Sequence, residues 1–130
     1  MNAIDTNVLV RYLVRDDEIQ ATIADRVIQN SCYLSLTVLL ESVWLLSSRF
    51  ALSREVISEA LHELVSLPSI STVDDELVEW AITRFRSGAD FADMVHLLDG
   101  RSADAFATFD QGVTKGAGNN SPLPIETLKV

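Results

Sequence analysis

The stretch Leu36–Phe50 constrains the fold most, because it is apolar almost all round and its only charge before Arg49 is Glu41. It reads LTVLLESVWLLSSRF, which is too long for a strand and predicts a largely buried helix from about Thr37. Glu41 is the only charged residue between Arg26 and Arg49. A buried carboxylate without a partner is costly, so it normally shifts its pKa, pairs or binds a metal. The alternative is a Glu41 that reaches the surface from a partly exposed helix.

The bulk composition indicates one globular domain over residues 1–130. The chain has 130 residues, of which 48% are hydrophobic, enough for a well-packed core. No run approaches the ~20 apolar residues of a membrane span, and the N-terminus lacks the pattern of a signal peptide. The single cysteine, Cys32, excludes an intramolecular disulfide framework. We therefore expect a protein of the reducing cytoplasm with no membrane partner.

The net charge of −9 argues against broad, non-specific binding to DNA. It does not exclude a metal-dependent nuclease, because carboxylates that bind cations add to the acidic total. If five carboxylates converge on cations, most of the excess negative charge lies at that site. A local basic rim can then still contact a nucleic acid.

Helical and strand-like segments alternate along the chain. Helices are predicted from about Thr6, over Ile19–Gln29, from about Thr37, and over Glu55–Leu67, Asp74–Arg86 and Ala89–Leu98. Strands are predicted over Met1–Ile4, Cys32–Leu36, Ile70–Val73, Ala103–Phe109 and Leu123–Leu128, the last after a Gly116–Asn120 loop. This order predicts an α/β fold with three layers, α/β/α, around a short and mainly parallel central sheet.

Acidic residues fall where such a fold forms its sites, beyond the carboxyl ends of the strands. Asp5 and Asp110 each follow a predicted strand, while Asp90 and Asp93 share one face of a helix. With Glu41 at the same edge, these acids would form a pocket of like charges, which repel one another unless cations or protons intervene. Oxygen ligands of this kind are those that Mg²⁺ or Mn²⁺ prefers.

Each of these residues also has a simpler local role. Asp5 and Asp90 suit helix N-caps, Asp110 suits a turn, and Thr6 and Asn7 are good cap residues for the start of the first helix. Other chemistries fit the sequence less well. It has no Cys and His set with zinc spacing, no phosphate-binding glycine motif and no nucleophilic serine motif.

Four pieces of sequence, in this order, resemble a known family. They are Asp5-Thr6-Asn7 followed by VLVRYL, the helix VLLESVWLL around Glu41, the phrase DFADMVHL from Asp90, and Thr108-Phe109-Asp110. Together they resemble the PIN-domain proteins, and within them the VapC-type toxins of bacterial toxin–antitoxin pairs. The resemblance spans residues from near Met1 to about Asp110.

The resemblance implies a metal-dependent endoribonuclease. It implies catalytic and metal-binding roles for five acids: Asp5, Glu41, Asp90, Asp93 and Asp110. It implies supporting roles for three polar residues: Thr6, Asn7 and Thr108. One or two Mg²⁺ or Mn²⁺ ions would activate water for in-line attack on an RNA phosphodiester and offset charge on the departing oxygen.

The resemblance also implies partners. These are an RNA substrate such as tRNA or another structured RNA, a cognate antitoxin, and a second copy in a homodimer or in a larger hetero-oligomer with the antitoxin. Candidates for phosphate contact are the arginines Arg11, Arg15, Arg49, Arg84 and Arg86. Trp44 and Phe50 suit either an interface or core packing.

Three alternatives compete with this interpretation. An acidic, Mg²⁺-binding receiver-like signalling domain would need paired acids after the first strand, where Asp5 stands alone. A phosphatase with Asp5 as nucleophile would need an acid two residues later, where the chain has Asn7. A catalytically silent PIN domain that acts as a binding module is disfavoured because all five acids are present.

Overall fold

A computed structural model describes the whole chain, Met1–Val130. The chain divides into two compact units, a first unit of Met1–Asp75 and a second unit of Glu76–Val130. None of its helices has both the length and the apolar character that crossing a bilayer requires. Whether residues 1–130 act as one domain stays a prediction.

The first unit places short parallel strands between pairs of helices. Its elements are β1 (Asn2–Ala3), α1 (Thr6–Val14), α2 (Glu18–Gln29), β2 (Cys32–Tyr33), α3 (Leu36–Ser48), α4 (Arg54–Val65) and β3 (Ile70–Ser71). The strands form one parallel sheet in the order β1-β2-β3. Cys32 pairs with Asn2 on one side and with Ile70 on the other. Since all three strands run the same way, their carboxyl ends share one edge.

Side-chain caps explain where the helices of the first unit begin. Asp5 caps α1, Asp17 caps α2, Ser35 caps α3 and Ser53 caps α4, each accepting a hydrogen bond from a backbone N–H three residues later. The α3 cap at Ser35 starts that helix one residue before the predicted start.

The helical spacing of Ile19, Ile23 and Val27 predicts that these residues form the buried face of α2, but the structure buries a different face. Ile19 and Ile23 are 75% and 53% exposed, whereas Ala21, Ala24 and Ile28 are buried. The small alanines allow close packing against α1, so the larger isoleucines lie on the solvent side. The largest fully buried side chains of the first unit are aliphatics from several elements: Leu9, Ile28, Leu34, Leu39, Leu46, Ile57, Leu61 and Leu64.

The second unit has three helices and two strands. Its elements are α5 (Asp75–Arg86, from the boundary residue), α6 (Phe91–Asp99), β4 (Phe106–Thr108), α7 (Gly112–Ala117) and β5 (Ile125–Thr127). The two strands are parallel, with Phe106 opposite Ile125 and Thr108 opposite Thr127. Phe85 and Phe91 meet edge to face, with ring centroids 5.6 Å apart.

Two predictions for the second unit are wrong in detail. β4 is shorter than Ala103–Phe109 and is not a buried strand, since Ala107 is exposed and its neighbours are half-buried. Residues that were predicted as part of a loop, Gly116 and Ala117, end a short helix, α7. The α/β class with short parallel strands is confirmed in both units.

Candidate functional site

The first unit brings Asp5 and Glu41 to the wall of one pocket, which we name the Asp5–Glu41 pocket. Its lining residues are Asp5, Thr6, Asn7, Val38, Glu41 and Leu45. Asp5 follows β1 and caps α1, with its Oδ1 accepting from the Val8 N–H at 3.0 Å. Its predicted local role as a cap is therefore confirmed, and its carboxylate remains exposed to solvent. The capping role predicted for Thr6 and Asn7 is wrong, because both residues lie inside α1.

Glu41 is exposed on α3, which decides between the two interpretations of this lone charge. It reaches the surface, and its Oε1 accepts a hydrogen bond from the Oγ1 of Thr6. Thr6 is itself only 7% exposed, so its hydroxyl lies at a fixed place in the first turn of α1. Thr6 thus holds the Glu41 carboxylate at the start of α1.

The second unit brings the other three acids to one cleft of about 520 Å³, which we name the acidic cleft. Among the residues that line it are Arg84, Asp90, Asp93, Asp110, Lys115 and Gly116. Asp90 caps α6, and its Oδ1 accepts from the Asp93 N–H at 2.9 Å. This bond places both carboxylates in the first turn of that helix.

Asp110 is held by its own turn, as its local interpretation predicts. Its Oδ1 accepts from the Gly112 N–H at 2.7 Å, and its backbone N–H donates to the Thr108 Oγ1 at 3.0 Å. Thr108 therefore supports the turn that carries Asp110.

The charges of the acidic cleft perturb Asp93. Partial burial raises the pKa of the Asp93 carboxyl, the negative charges of Asp90 and Asp110 raise it further, and His96 opposes them. Raised carboxyl pKa values are typical of acids that crowd together at functional sites. Asp90 and Asp110 are thus each near enough to repel the charge of Asp93, and a cation or a proton relieves this repulsion.

The chemistry of these donors fits a hard divalent cation, since they offer carboxylate oxygens and no thiolate. No group of three or more His, Cys, Asp or Glu side chains is drawn together closely enough to hold a metal ion. The side chains must therefore move if they share an ion. That all five acids do so stays a prediction.

Two of the candidate phosphate-binding arginines are already paired. Arg11 lies 3.0 Å from the Asp16 carboxylate, and Arg15 lies 2.7 Å from the Asp25 carboxylate. Lys115, which was not among the predicted contacts, lines the acidic cleft. The sequence places Lys115 only five residues after Asp110, which could have indicated that it lies near the site. It was not predicted because the residues that follow it were assigned to a loop.

Trp44 does not belong to the core. Its side chain is 65% exposed on α3, so the core-packing interpretation of this residue is wrong. Phe50, at the end of the same stretch, is half-buried. A role of either residue at an interface stays a prediction.

Comparison with known families gives one match. The PIN domain family matches residues 3–117, a range that includes all five acids and the three supporting polar residues. No match was found among curated proteins or among solved structures.

Proposed function

Because the chain belongs to the PIN-domain family, we propose that it is a Mg²⁺- or Mn²⁺-dependent endoribonuclease that cleaves RNA in the cytoplasm. PIN domains are in general metal-dependent nucleases. The observation that carries the proposal is the crowding of Asp90, Asp93 and Asp110 in the acidic cleft, where burial and like charges raise the pKa of Asp93. The negative charge of such an acid cluster favours the binding of cations.

In this proposal Asp5, Glu41, Asp90, Asp93 and Asp110 would hold the cations. A divalent ion bound there would lower the pKa of water and offset negative charge on the leaving oxygen. Thr6 keeps the Glu41 carboxylate at the start of α1, and Thr108 supports the turn of Asp110. Water adds in line to the phosphorus, the bond to O3′ breaks, and the products are a 5′-phosphate and a 3′-hydroxyl.

We further propose that the protein is the toxin of a toxin–antitoxin pair. Support comes from its resemblance to VapC-type toxins over DTNVLVRYL, VLLESVWLL, DFADMVHL and TFD. A cognate antitoxin would inhibit it, and the active form would be a homodimer that cuts structured RNA such as tRNA. The exposed Trp44 side chain is available for such an interface.

Cleavage of end-labelled cellular RNA by the purified protein tests the proposal. Cleavage should require Mg²⁺ or Mn²⁺ and stop in EDTA. It should be abolished by Asp5→Asn and by Asp93→Asn, whose amide oxygens keep a hydrogen-bond acceptor but lose the charge. Asp104→Asn, an exposed position before β4, is the matched control and should cleave normally.

Each other outcome has a definite meaning. Wild-type protein that binds RNA and does not cut it with any divalent ion would indicate the binding module instead. Equal cleavage by Asp93→Asn would rule out the assigned site. Sequencing the cut ends after brief expression in cells would identify the RNA and test for a 5′-phosphate.

A further inference from the structure

The acidic cleft carries two cations as well as three acids. Arg84, from α5, and Lys115, from α7, line it together with Asp90, Asp93 and Asp110. Neither cation forms an ion pair with these carboxylates, although the groups line the same space. Both signs of charge therefore remain available to a ligand.

Arg84 is held in place by backbone and not by an acid. Its Nε donates to the Gly116 carbonyl at 2.7 Å, in the last turn of α7. This bond uses one of its five N–H donors and leaves the charge unneutralised. The guanidinium is thus oriented before any ligand arrives, which reduces the entropy lost on binding.

Gly118 packs directly against the Arg84 guanidinium. A Cβ atom at Gly118 would lie 3.0 Å from the Arg84 Cζ and 3.2 Å from each terminal nitrogen. The backbone φ of Gly118 is +68°, which also favours glycine. Any side chain here would push the guanidinium away from its present position.

A ligand that suits this cleft must present negative charge to Arg84 and Lys115. It must also be able to bind a cation that the three acids hold. A phosphodiester backbone has both properties, since its oxygens bind Arg and Lys and also bind divalent ions. A planar, pre-oriented guanidinium beside a flexible ammonium suits phosphate oxygens in particular.

We propose that Arg84 and Lys115 form a phosphate-binding subsite in the acidic cleft, which holds a backbone phosphate next to the one that is cleaved. This inference rests on the proposed function, because it assigns the substrate of that function to a definite pair of residues. Arg84 and Lys115 position the RNA and take no part in the bond cleavage itself.

Binding of a labelled single-stranded RNA, measured by fluorescence anisotropy in EDTA, tests the subsite without hydrolysis. Arg84→Gln and Lys115→Gln should each weaken binding about three- to tenfold, for all sequences alike. Each should also reduce the slope of log affinity against log salt by ~0.7, the value for one contact to a single strand. Lys129→Gln removes an exposed lysine of the same unit and is the control.

Two further measurements separate positioning from simple charge. In Mg²⁺ or Mn²⁺, Arg84→Gln and Lys115→Gln should raise KM and leave kcat nearly unchanged, because they remove uniform binding. Arg84→Lys keeps the charge but loses the Nε donor and the planar fork, so it should restore the salt slope and only part of the affinity. Thermal melts of each variant check that the fold is intact.

The failure of this inference differs from failure of the proposed function. If the wild type cleaves RNA while both variants match Lys129→Gln in salt slope and KM, the subsite is wrong and the nuclease stands. If the variants lose binding as expected but the wild type never cleaves, the subsite stands and the nuclease is wrong. If the wild type neither binds nor cleaves RNA, both are wrong.

Discussion

The Asp5–Glu41 pocket and the acidic cleft hold their carboxylates in different ways. In the pocket, a neutral hydroxyl of Thr6 binds Glu41, and the nearby Arg11 is occupied by Asp16 and Gln20. In the cleft, partial burial and the negative charges of Asp90 and Asp110 raise the pKa of Asp93, while Arg84 and Lys115 are not paired with acids. Hydrogen bonds hold carboxylates in both places, but in the cleft Asp93 is also repelled by its neighbours, and a bound cation would relieve this repulsion.

The largest expected effect follows from removing charge in the cleft. Asp90→Asn/Asp93→Asn should lower RNA cleavage by about a hundredfold or more, while Asn at position 90 keeps the α6 cap. In the wild type, Mg²⁺ at about 100 times its Kd should stabilise the fold by about 2.7 kcal/mol. The double variant should lose this gain. Thermal melts with and without Mg²⁺ measure it.

Asp104→Asn is again the control for that experiment. A Mg²⁺-dependent rise in Tm that persists in the double variant would show that the ion binds elsewhere. That outcome would rule out the cleft as the metal site.

A smaller effect is expected in the pocket, where a hydroxyl and not a charge is removed. Thr6→Val keeps the side-chain shape but leaves Glu41 without its donor. Since a hydrogen bond to a charged group contributes ~1.5–3 kcal/mol, cleavage should fall about tenfold or more. Thr6→Ser restores the hydroxyl and should recover most of the activity. Equal activity in Thr6→Val and the wild type would mean that Thr6 does not position Glu41.

Two carboxyl groups, Asp93 in the second unit and Asp25 in the first, should contribute to stability with opposite pH dependence. Because Asp93 has a raised pKa, the folded state binds more protons than the unfolded state just above the ordinary value of 3.8. The contribution of Asp93 to the free energy of unfolding therefore falls as the pH rises above 3.8. Asp25 in the first unit has a pKa lowered by Arg15, so its contribution is lost as pH falls below 3.8.

Urea unfolding across this pH range, in EDTA, measures both effects. Asp93→Asn should remove the part of the free energy of unfolding that is lost when the pH rises and Asp93 ionises. Asp25→Asn should remove the part that is lost when the pH falls and Asp25 is protonated. An unchanged pH profile in Asp93→Asn would contradict the repulsion assigned to the cleft.

Local signals in the sequence predicted most of the elements and the acids themselves. Asp5 and Asp90, each before a helical segment, mark helix starts that the structure confirms. Short motifs were therefore enough to identify the family and the candidate residues, because helix caps and strand ends depend on residues that are close in the chain.

Features that depend on tertiary packing were missed. The periodicity of α2 indicated Ile19 and Ile23, but the alanines of the same helix pack inward. α7 was missed because Gly112 and Gly116, which both lie within it, weaken its helical signal. Without α7, neither the position of Lys115 nor the bond from Arg84 to Gly116 could be inferred.

The smallest effect is expected for Arg11, which tests whether pairing explains the difference between the two regions. Its Nη1 lies 3.0 Å from Asp16, and its Nε donates to Gln20 at 2.7 Å. Both partners are on the surface, so Arg11→Gln should change the free energy of unfolding by less than about 1 kcal/mol. The salt slope of RNA binding should not change, in contrast to Lys115→Gln. A reduction of the salt slope by ~0.7 would mean that Arg11 leaves Asp16 and contacts a phosphate when RNA binds. Pairing in the free protein would then not predict which cations contact RNA.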